Sequence, residues 1–392
     1  MNPVPNDVGD FSDRRQPETK QQSLRTVHKR WACFQKISPK AIGALTVATL
    51  IGVVAAAVSA QQYDASSGSS LAAMKVPLDN PLNASKIELG KKLFFDTRLS
   101  ADGTVACATC HDPKHSFSNS HALSVGVFGR LTQRHAPALL GRGFGNSEFW
   151  DGRAGTLEEQ VVQPILNRNE MDNSVASVLE RLNHLNGDTS YRGLTQDSLV
   201  RALASYVRTL RSEDSPYDRF LSGRPHGLSE FERQGLLLFR DKARCYICHS
   251  GGQLTDEGYH NTGVAWVDGT LRDEGRAAIT GKNYHKGAFK TPTLREVGKR
   301  GPFMHDGSLA TLEDVVEFYD RGGNANPHLD ENIVPLHLSR EEKASLVAFL
   351  RKGLSGLILE GMENHPFPAE PPKPAKTPAK NYRDAAHMDD CC

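Results

Sequence analysis

The chain has 392 residues, 38% of them hydrophobic and 24% charged, with 47 Lys and Arg against 46 Asp and Glu. That length accommodates two compact domains, the composition is that of a globular protein, and the near-zero net charge gives no case for a nucleic-acid partner. Seven cysteines divide into two Cys-x-x-Cys pairs, Cys33, and the terminal Cys391 and Cys392, so none is left in the globular region for a structural disulfide.

In chain order, residues 1–40 are polar, with basic Arg25, Lys29, Arg30, Lys36 and Lys40, and read as a disordered cytoplasmic segment. Residues 41–60 carry no charge, and twenty apolar positions suffice to cross a hydrocarbon core of roughly 30 Å. The basic flank orients the downstream chain outward. Val58-Ser59-Ala60 also fits a cleavage site, so an inner-membrane anchor and a cleaved signal both stay open. A linker, 61–76, leads into the first globular region, 77–225, where Leu89, Leu93 and Phe94 fall on one helical face.

Next comes Cys107-Ala108-Thr109-Cys110-His111. Cys-x-x-Cys-His is the pattern of covalent haem c attachment: the thiols add to the porphyrin vinyl groups and the histidine ligates the iron. A second copy stands at Cys245-Tyr246-Ile247-Cys248-His249. A four-cysteine zinc site would use the sulfurs but explain neither histidine. Two covalently bound haem c groups are therefore expected, and in bacteria their attachment takes place outside the cytoplasmic membrane, which puts the haem regions in the periplasm.

Between the motifs, Thr156 and Glu159 form a capping box, and Leu157, Gln160, Val161 and Pro164 fall on one face of the helix it opens. Gln160 on that stripe is either a hydrogen-bonded core glutamine or a group with a chemical task. A longer amphipathic helix is expected over 196–210, with Leu199, Ala202, Leu203, Tyr206 and Leu210 on its buried side, and Ser222-Gly223-Arg224-Pro225-His226-Gly227 reads as a turn between domains. The second region, 226–362, opens with a capping box of Ser229 and Glu232 and carries a long loop-like part over 251–301. It ends in two helices. On the first, Leu312, Val315, Val316 and Tyr319 share the buried stripe, so Tyr319 points inward; the second is capped by Ser339 and Glu342. Residues 363–392 read as a disordered tail rich in Pro and Lys.

The segments LGKKLFFDTRLSADGTVACATCH at 89–111, FWDGRAGTLEEQVVQPILNRNEM at 149–171 and TPTLREVGKRGPFMHDGSLATLEDVVEFYDRGG at 291–323, with both haem motifs and in this order, resemble the bacterial di-haem cytochrome c peroxidase family and its MauG-like branch. The likeness covers roughly residues 77–360. It implies an all-α fold of two cytochrome c-like haem domains, here preceded by one N-terminal transmembrane or signal helix, with the active site near the domain junction. It further implies His111 as proximal ligand of the peroxide-reacting haem, His249 as ligand of the second, and Trp150 between them. Glu170 and Gln160 would line the distal pocket, with Pro164 beside them.

The second haem's other ligand is, by the same resemblance, Tyr319, fourteen residues after His305, where ordinary members carry a methionine. Met304 is the alternative, because Met is the usual partner of His in electron-transfer haems. Leu131 stands where ordinary members carry a blocking histidine, so the first haem is expected to keep an open face; Met171 is the rival ligand there. Calcium through backbone carbonyls near Arg300 and Pro302 is a further implication, although His135 replaces the family's Asn ligand. Ala243 replaces the tryptophan that MauG uses to pass charge to its protein substrate. The function so implied is reduction of hydrogen peroxide with electrons from a small periplasmic cytochrome c or cupredoxin. The alternatives are a MauG-like oxidase acting on a protein or organic substrate, and a di-haem electron carrier without turnover.

Overall fold

Eight hydroxyl or amide side chains start the main helices: Asn83, Thr156, Ser174, Thr195, Ser215, Ser229, Thr311 and Ser339 each accept a hydrogen bond from the backbone N–H three residues on. In the computed structural model, which describes residues 74–184 and 189–361, these caps and the apolar stripes behind them give α1 (Ala84–Phe94), α2 (Cys107–Cys110), α3 (Leu157–Gln160), α4 (Gln163–Leu166), α5 (Val175–Asn183), α6 (Gln196–Thr209), α7 (Pro216–Leu221), α8 (Glu230–Arg240), α9 (Ala277–Thr280), α10 (Leu312–Asp320) and α11 (Arg340–Ala348). The expected helix through 157–164 is two single turns, α3 and α4. Pro164 has no N–H to give to the carbonyl of Gln160, so the α-helical ladder cannot run through.

Two hydrophobic clusters form. The first holds Leu93 and Phe94 of α1, Ile165 of α4, and Leu199, Leu203 and Tyr206 of α6. The second holds Leu236 and Phe239 of α8, Val316 of α10, Leu346 of α11 and Phe349 just beyond it. Each fully buried large apolar side chain contributes roughly 1.5–3 kcal/mol. Both clusters use the same device. A Cβ at Gly90 of α1 would stand 1.9 Å from the carbonyl oxygen of Ala202 in α6, and one at Gly235 of α8 would stand 2.1 Å from that of Ser345 in α11. In each half, then, the helix ahead of the haem motif touches the backbone of a later helix through a glycine.

The all-α expectation needs correcting, because six short strands are present among the described residues. β1 (Arg211–Glu213) pairs antiparallel with β6 (Leu357–Leu359), Ser212 facing Ile358, and so ties the end of the second half to the end of α6. β2 (Tyr259–His260) pairs with β5 (Phe289–Lys290), and β3 (Trp266–Val267) with β4 (Thr270–Leu271), all within the stretch that reads as loop in the sequence. Strands of two or three residues are too short to show an alternating pattern. No helix among the described residues is long and apolar enough to cross a membrane. Residues 41–60, where a transmembrane or signal helix is expected, lie outside the described residues, as do 1–40 and the tail 363–392. Among the described residues the fold is therefore helical with short strand pairs and includes no membrane-spanning helix.

Gly90→Val places a branched side chain against the Ala202 carbonyl and should cost about 1–3 kcal/mol. Thermal or urea unfolding of the haem-loaded protein checks this; an unchanged midpoint would mean that the α1–α6 crossing is not tight.

Candidate active site

In α2 the two cysteines lie three residues apart and so share a face, with His111 the next residue after the turn. The Nδ1 of His111 lies 3.2 Å from the carbonyl oxygen of Phe117. An imidazole that donates Nδ1–H to a carbonyl keeps its lone pair on Nε2, the atom an iron takes. Desolvation pushes the pKa of His111 down to about 4, so the ring is neutral and ready to ligate. It also pushes Cys107 up to about 12 and raises Cys110, which suits uncharged thioethers.

Glu170 is the acidic side chain beside this motif. Its charge acts on both Cys107 and Cys110. Desolvation raises its pKa above the ordinary carboxyl value, against the opposing pull of Arg153 and a 2.8 Å hydrogen bond from Asn167 Nδ2. Backbone contacts hold it in place: Val127 N–H donates to the Glu170 carbonyl at 2.9 Å. Gln160, half-buried, ends α3, and Glu158 in the same turn takes two 2.9 Å bonds from Arg208 of α6. Pro164, also half-buried, opens α4 beside it. Met171 is packed with the first apolar cluster, and Leu131 is exposed.

The second motif begins with a tight turn over Cys245–Ile247. The Nδ1 of His249 lies 3.1 Å from the Leu254 carbonyl oxygen, and desolvation holds its pKa down to about 4, as at His111. Cys245, Cys248, His249, Met304, Tyr319 and Trp150 line one mostly apolar cavity. α10 presents Tyr319 there: Leu312 and Val316 are buried in the second cluster, while Val315 and Tyr319, on the same stripe, stay half-exposed because they face the cavity. Desolvation first, then the nearby cysteines, raise the Tyr319 hydroxyl, against a hydrogen bond with Thr262. It is a neutral phenol until a cation takes the proton's place. The pinned histidine, paired cysteines and apolar walls fit a haem c, with either Tyr319 or Met304 able to reach the same cavity.

Trp150 joins the two halves. Its Nε1 donates to the His135 carbonyl at 2.8 Å, its own carbonyl accepts from Lys290 N–H of β5 at 2.8 Å, and its side chain lines the second cavity.

The family model for di-haem cytochrome c peroxidase matches residues 84–226. Methylamine utilization protein MauG of Methylorubrum extorquens is 37% identical over 327 residues, which cover 79% of this chain and 90% of that protein. The chain belongs to the di-haem cytochrome c peroxidase family. Cytochrome c551 peroxidase of Nitrosomonas europaea is 33% identical over 313 residues, 76% of this chain and 87% of that protein. A solved MauG-like protein associated with microbial copper homeostasis superposes with a TM-score of 0.67 at 32% identity, over 72% of this chain and 93% of that one. The diheme peroxidase BthA of Burkholderia thailandensis gives 0.60 at 25%, over 72% and 89%.

As a di-haem cytochrome c peroxidase, the chain is an oxidoreductase that uses haem c and acts on peroxide as acceptor. The side chains where the calcium site is expected, His135 and Arg300, are poor calcium ligands. The His135 ring turns Nδ1 toward the carbonyl oxygens of His121 and Ala122, at 3.0 and 3.2 Å, and Nε2 toward Ser118 Oγ at 3.2 Å. The buried Arg300 cation acts on the same ring. A hard dication needs oxygens that this donor-bearing pair does not supply.

Sequence reasoning misses His260, whose ring nitrogens lie 2.9 Å from Asp256 Oδ2 and 2.6 Å from Asp330 Oδ2, carboxylates that raise its pKa above the ordinary imidazole value. Cys248, Asp256 and His260 cluster as metal donors would, but the haem motif already commits Cys248 to a thioether. It also misses Arg142, which pairs with Glu148 and Glu257 across the junction. These partners stand up to 115 residues apart, and no local pattern links them.

The raised pKa of Glu170 has a stability consequence. The folded state holds this proton more tightly than the unfolded chain, so the native state is penalised as pH rises from the ordinary carboxyl range through the folded pKa. Glu170→Gln should therefore stabilise the protein at pH 7–8 and change little near pH 4, read by urea midpoints at both pH values. An equal effect at both would contradict the desolvated carboxyl.

Proposed function

We propose that this chain is a periplasmic peroxidase in which two haem-binding domains, 77–225 and 226–362, divide the work. The first takes hydrogen peroxide and the second collects electrons from a small cytochrome c or cupredoxin. The observation that carries the reading is the asymmetry of two otherwise parallel sites: a desolvated carboxyl, Glu170, stands by the first motif, while Tyr319 and Met304 stand in the cavity of the second.

When bound at His111, the haem supplies an iron that accepts peroxide and the redox change that peroxide reduction needs. Glu170 takes the proton from the near oxygen of the substrate and returns it to the far oxygen, which then leaves as water. A carboxyl raised by burial suits that shuttle better than an ordinary one. Gln160 donates a hydrogen bond to the substrate oxygen and orders the pocket. Pro164 interrupts the helix so that Gln160 sits at a free turn end. Trp150, bonded to both halves, is the side chain through which the two sites exchange electrons. Two electrons and two protons convert each peroxide to two waters. Leu131, without a ring nitrogen, leaves the first site open without prior reduction.

A MauG-like oxidase is the second reading, favoured by Tyr319 in the second cavity. Against it stands Ala243, buried two residues ahead of Cys245, where the MauG-like route places an indole. A methyl group cannot carry charge toward a protein substrate.

Three outcomes test the proposal. Steady-state peroxide turnover with reduced small cytochromes or cupredoxins should exceed oxidation of added protein or organic substrates; the reverse would favour the oxidase, and no turnover with any of them would leave an electron carrier. Glu170→Gln should lower kcat by about 10²–10⁴-fold with both haems attached; an unchanged kcat removes Glu170 from its role. Tyr319→Phe should alter the low-spin haem spectrum, whereas a change on Met304→Leu instead would make Met304 the ligand.

A further inference from the structure

Five arginines are buried among the described residues, and four of them hold a carboxylate: Arg142 holds Glu148 and Glu257, Arg208 holds Glu158, Arg211 holds Glu213, and Arg295 holds Asp218. Arg300 is the exception. It is 7% exposed, and its Nη2 donates to the Thr293 carbonyl at 2.6 Å. Its Nε, shielded from solvent, has no partner among the described residues. The acid whose charge reaches it, Glu296, is engaged by Ser212 Oγ at 2.6 Å and Lys299 Nζ at 2.8 Å. Desolvation lowers the pKa of Arg300 only to about 10, so it stays charged at neutral pH. A buried cation without a counterion is strongly unfavourable, and the open side of this one is the cavity it lines with Cys245, Cys248, His249 and Tyr319. Whatever fills that cavity must bring an anion to it.

We propose that Arg300 is the counterion of a propionate on the haem bound at Cys245, Cys248 and His249, and that its charge raises the reduction potential of that haem. A guanidinium matches a carboxylate with two parallel N–H bonds, and it is the least costly cation to desolvate. Reduction removes one positive charge from the iron, so a fixed cation nearby favours the reduced form. A phenolate ligand from Tyr319 acts the other way, favouring the oxidised form. The potential of the second site is then a balance between Tyr319 and Arg300. The inference depends on the second motif carrying a haem, and not on which donor or substrate the enzyme uses.

The test is spectroelectrochemical titration of the haem-loaded wild type, Arg300→Gln and Arg300→Lys, with haem counted per chain by the pyridine haemochrome. Arg300→Gln should shift the reduction equilibrium of the second haem about tenfold toward the oxidised form, or about 59 mV downward for one electron. Arg300→Lys should restore most of that shift. An unchanged potential in Arg300→Gln with two haems attached overturns the proposal. Loss of the second haem in Arg300→Gln but not in Arg300→Lys supports it, because charge is then what holds the propionate. Equal loss in both overturns it, since the position would then serve packing. A wild type with one haem per chain would overturn instead the two-haem reading on which the proposal rests.

Discussion

Each site is organised around a single hydrogen bond, from the Nδ1 of a histidine to a carbonyl five or six residues further on. Phe117 supplies that carbonyl to His111, and Leu254 supplies it to His249. Both of these bulky residues sit in the left-handed region, at φ of 57° and 53°, where a side chain is normally disfavoured. Such conformations cost of order 1–3 kcal/mol and persist only where the surroundings determine them. Here the surroundings are the two apolar clusters, in which Phe117 and Leu254 are wholly buried. Core packing thus holds a strained turn, the turn aims a carbonyl, and the carbonyl engages Nδ1 so that Nε2 is left free to ligate an iron. The glycine crossings at Gly90 and Gly235 belong to the same chain of causes, since they bring the helices close enough to bury those residues.

The parts of this arrangement that depend on local sequence are legible in it. The capping boxes at Ser229 and Ser339 place helix starts where they are found, and the apolar stripe of α6 is buried as its spacing requires. Helical phase turns Tyr319 toward the cavity, and the two Cys-x-x-Cys-His motifs announce the cofactor without help from the fold. What depends on distant partners is not legible. The β1–β6 pair joins residues almost 150 positions apart, and nothing in Arg211-Ser212-Glu213 reads as a strand. The α3–α4 break is signalled by Pro164, but the stripe of apolar residues around it argues for continuity. The residues that pin the histidines carry no signal, because a positive φ at Phe or Leu is imposed by tertiary packing against local preference.

The junction between the halves is built differently, from buried and half-buried charge. Arg134 bonds Asp151 and both oxygens of Asp273, Arg276 donates to the carbonyls of Asp151 and Gly152, and Arg142 reaches Glu257. Buried ion pairs of this kind add little net stability over apolar packing, yet losing one partner is costly. They therefore act mainly as a register. Trp150 lies in the middle of them, next in sequence to Asp151, and its backbone and indole are bonded to opposite halves. The relay proposed for Trp150 would need a fixed distance more than a strong contact, and a lattice of charge pairs tolerates little sliding.

The two sites share a histidine pin and differ in the ionisable groups near their motifs. Burial raises the proton affinity of both Glu170 and Tyr319, but with unlike results. A carboxyl whose proton affinity is raised by burial holds a proton more readily than an ordinary one, which suits the proton transfer proposed for Glu170. A phenol lifted above its already high value stays protonated, and a metal ion that bound its oxygen would displace that proton to solvent. The same desolvation therefore suits Glu170 to the proposed proton transfer and keeps Tyr319 a neutral phenol in the absence of a metal. In the proposed division of labour, that divergence, more than any difference in fold between the halves, separates the peroxide site from the electron-transfer site.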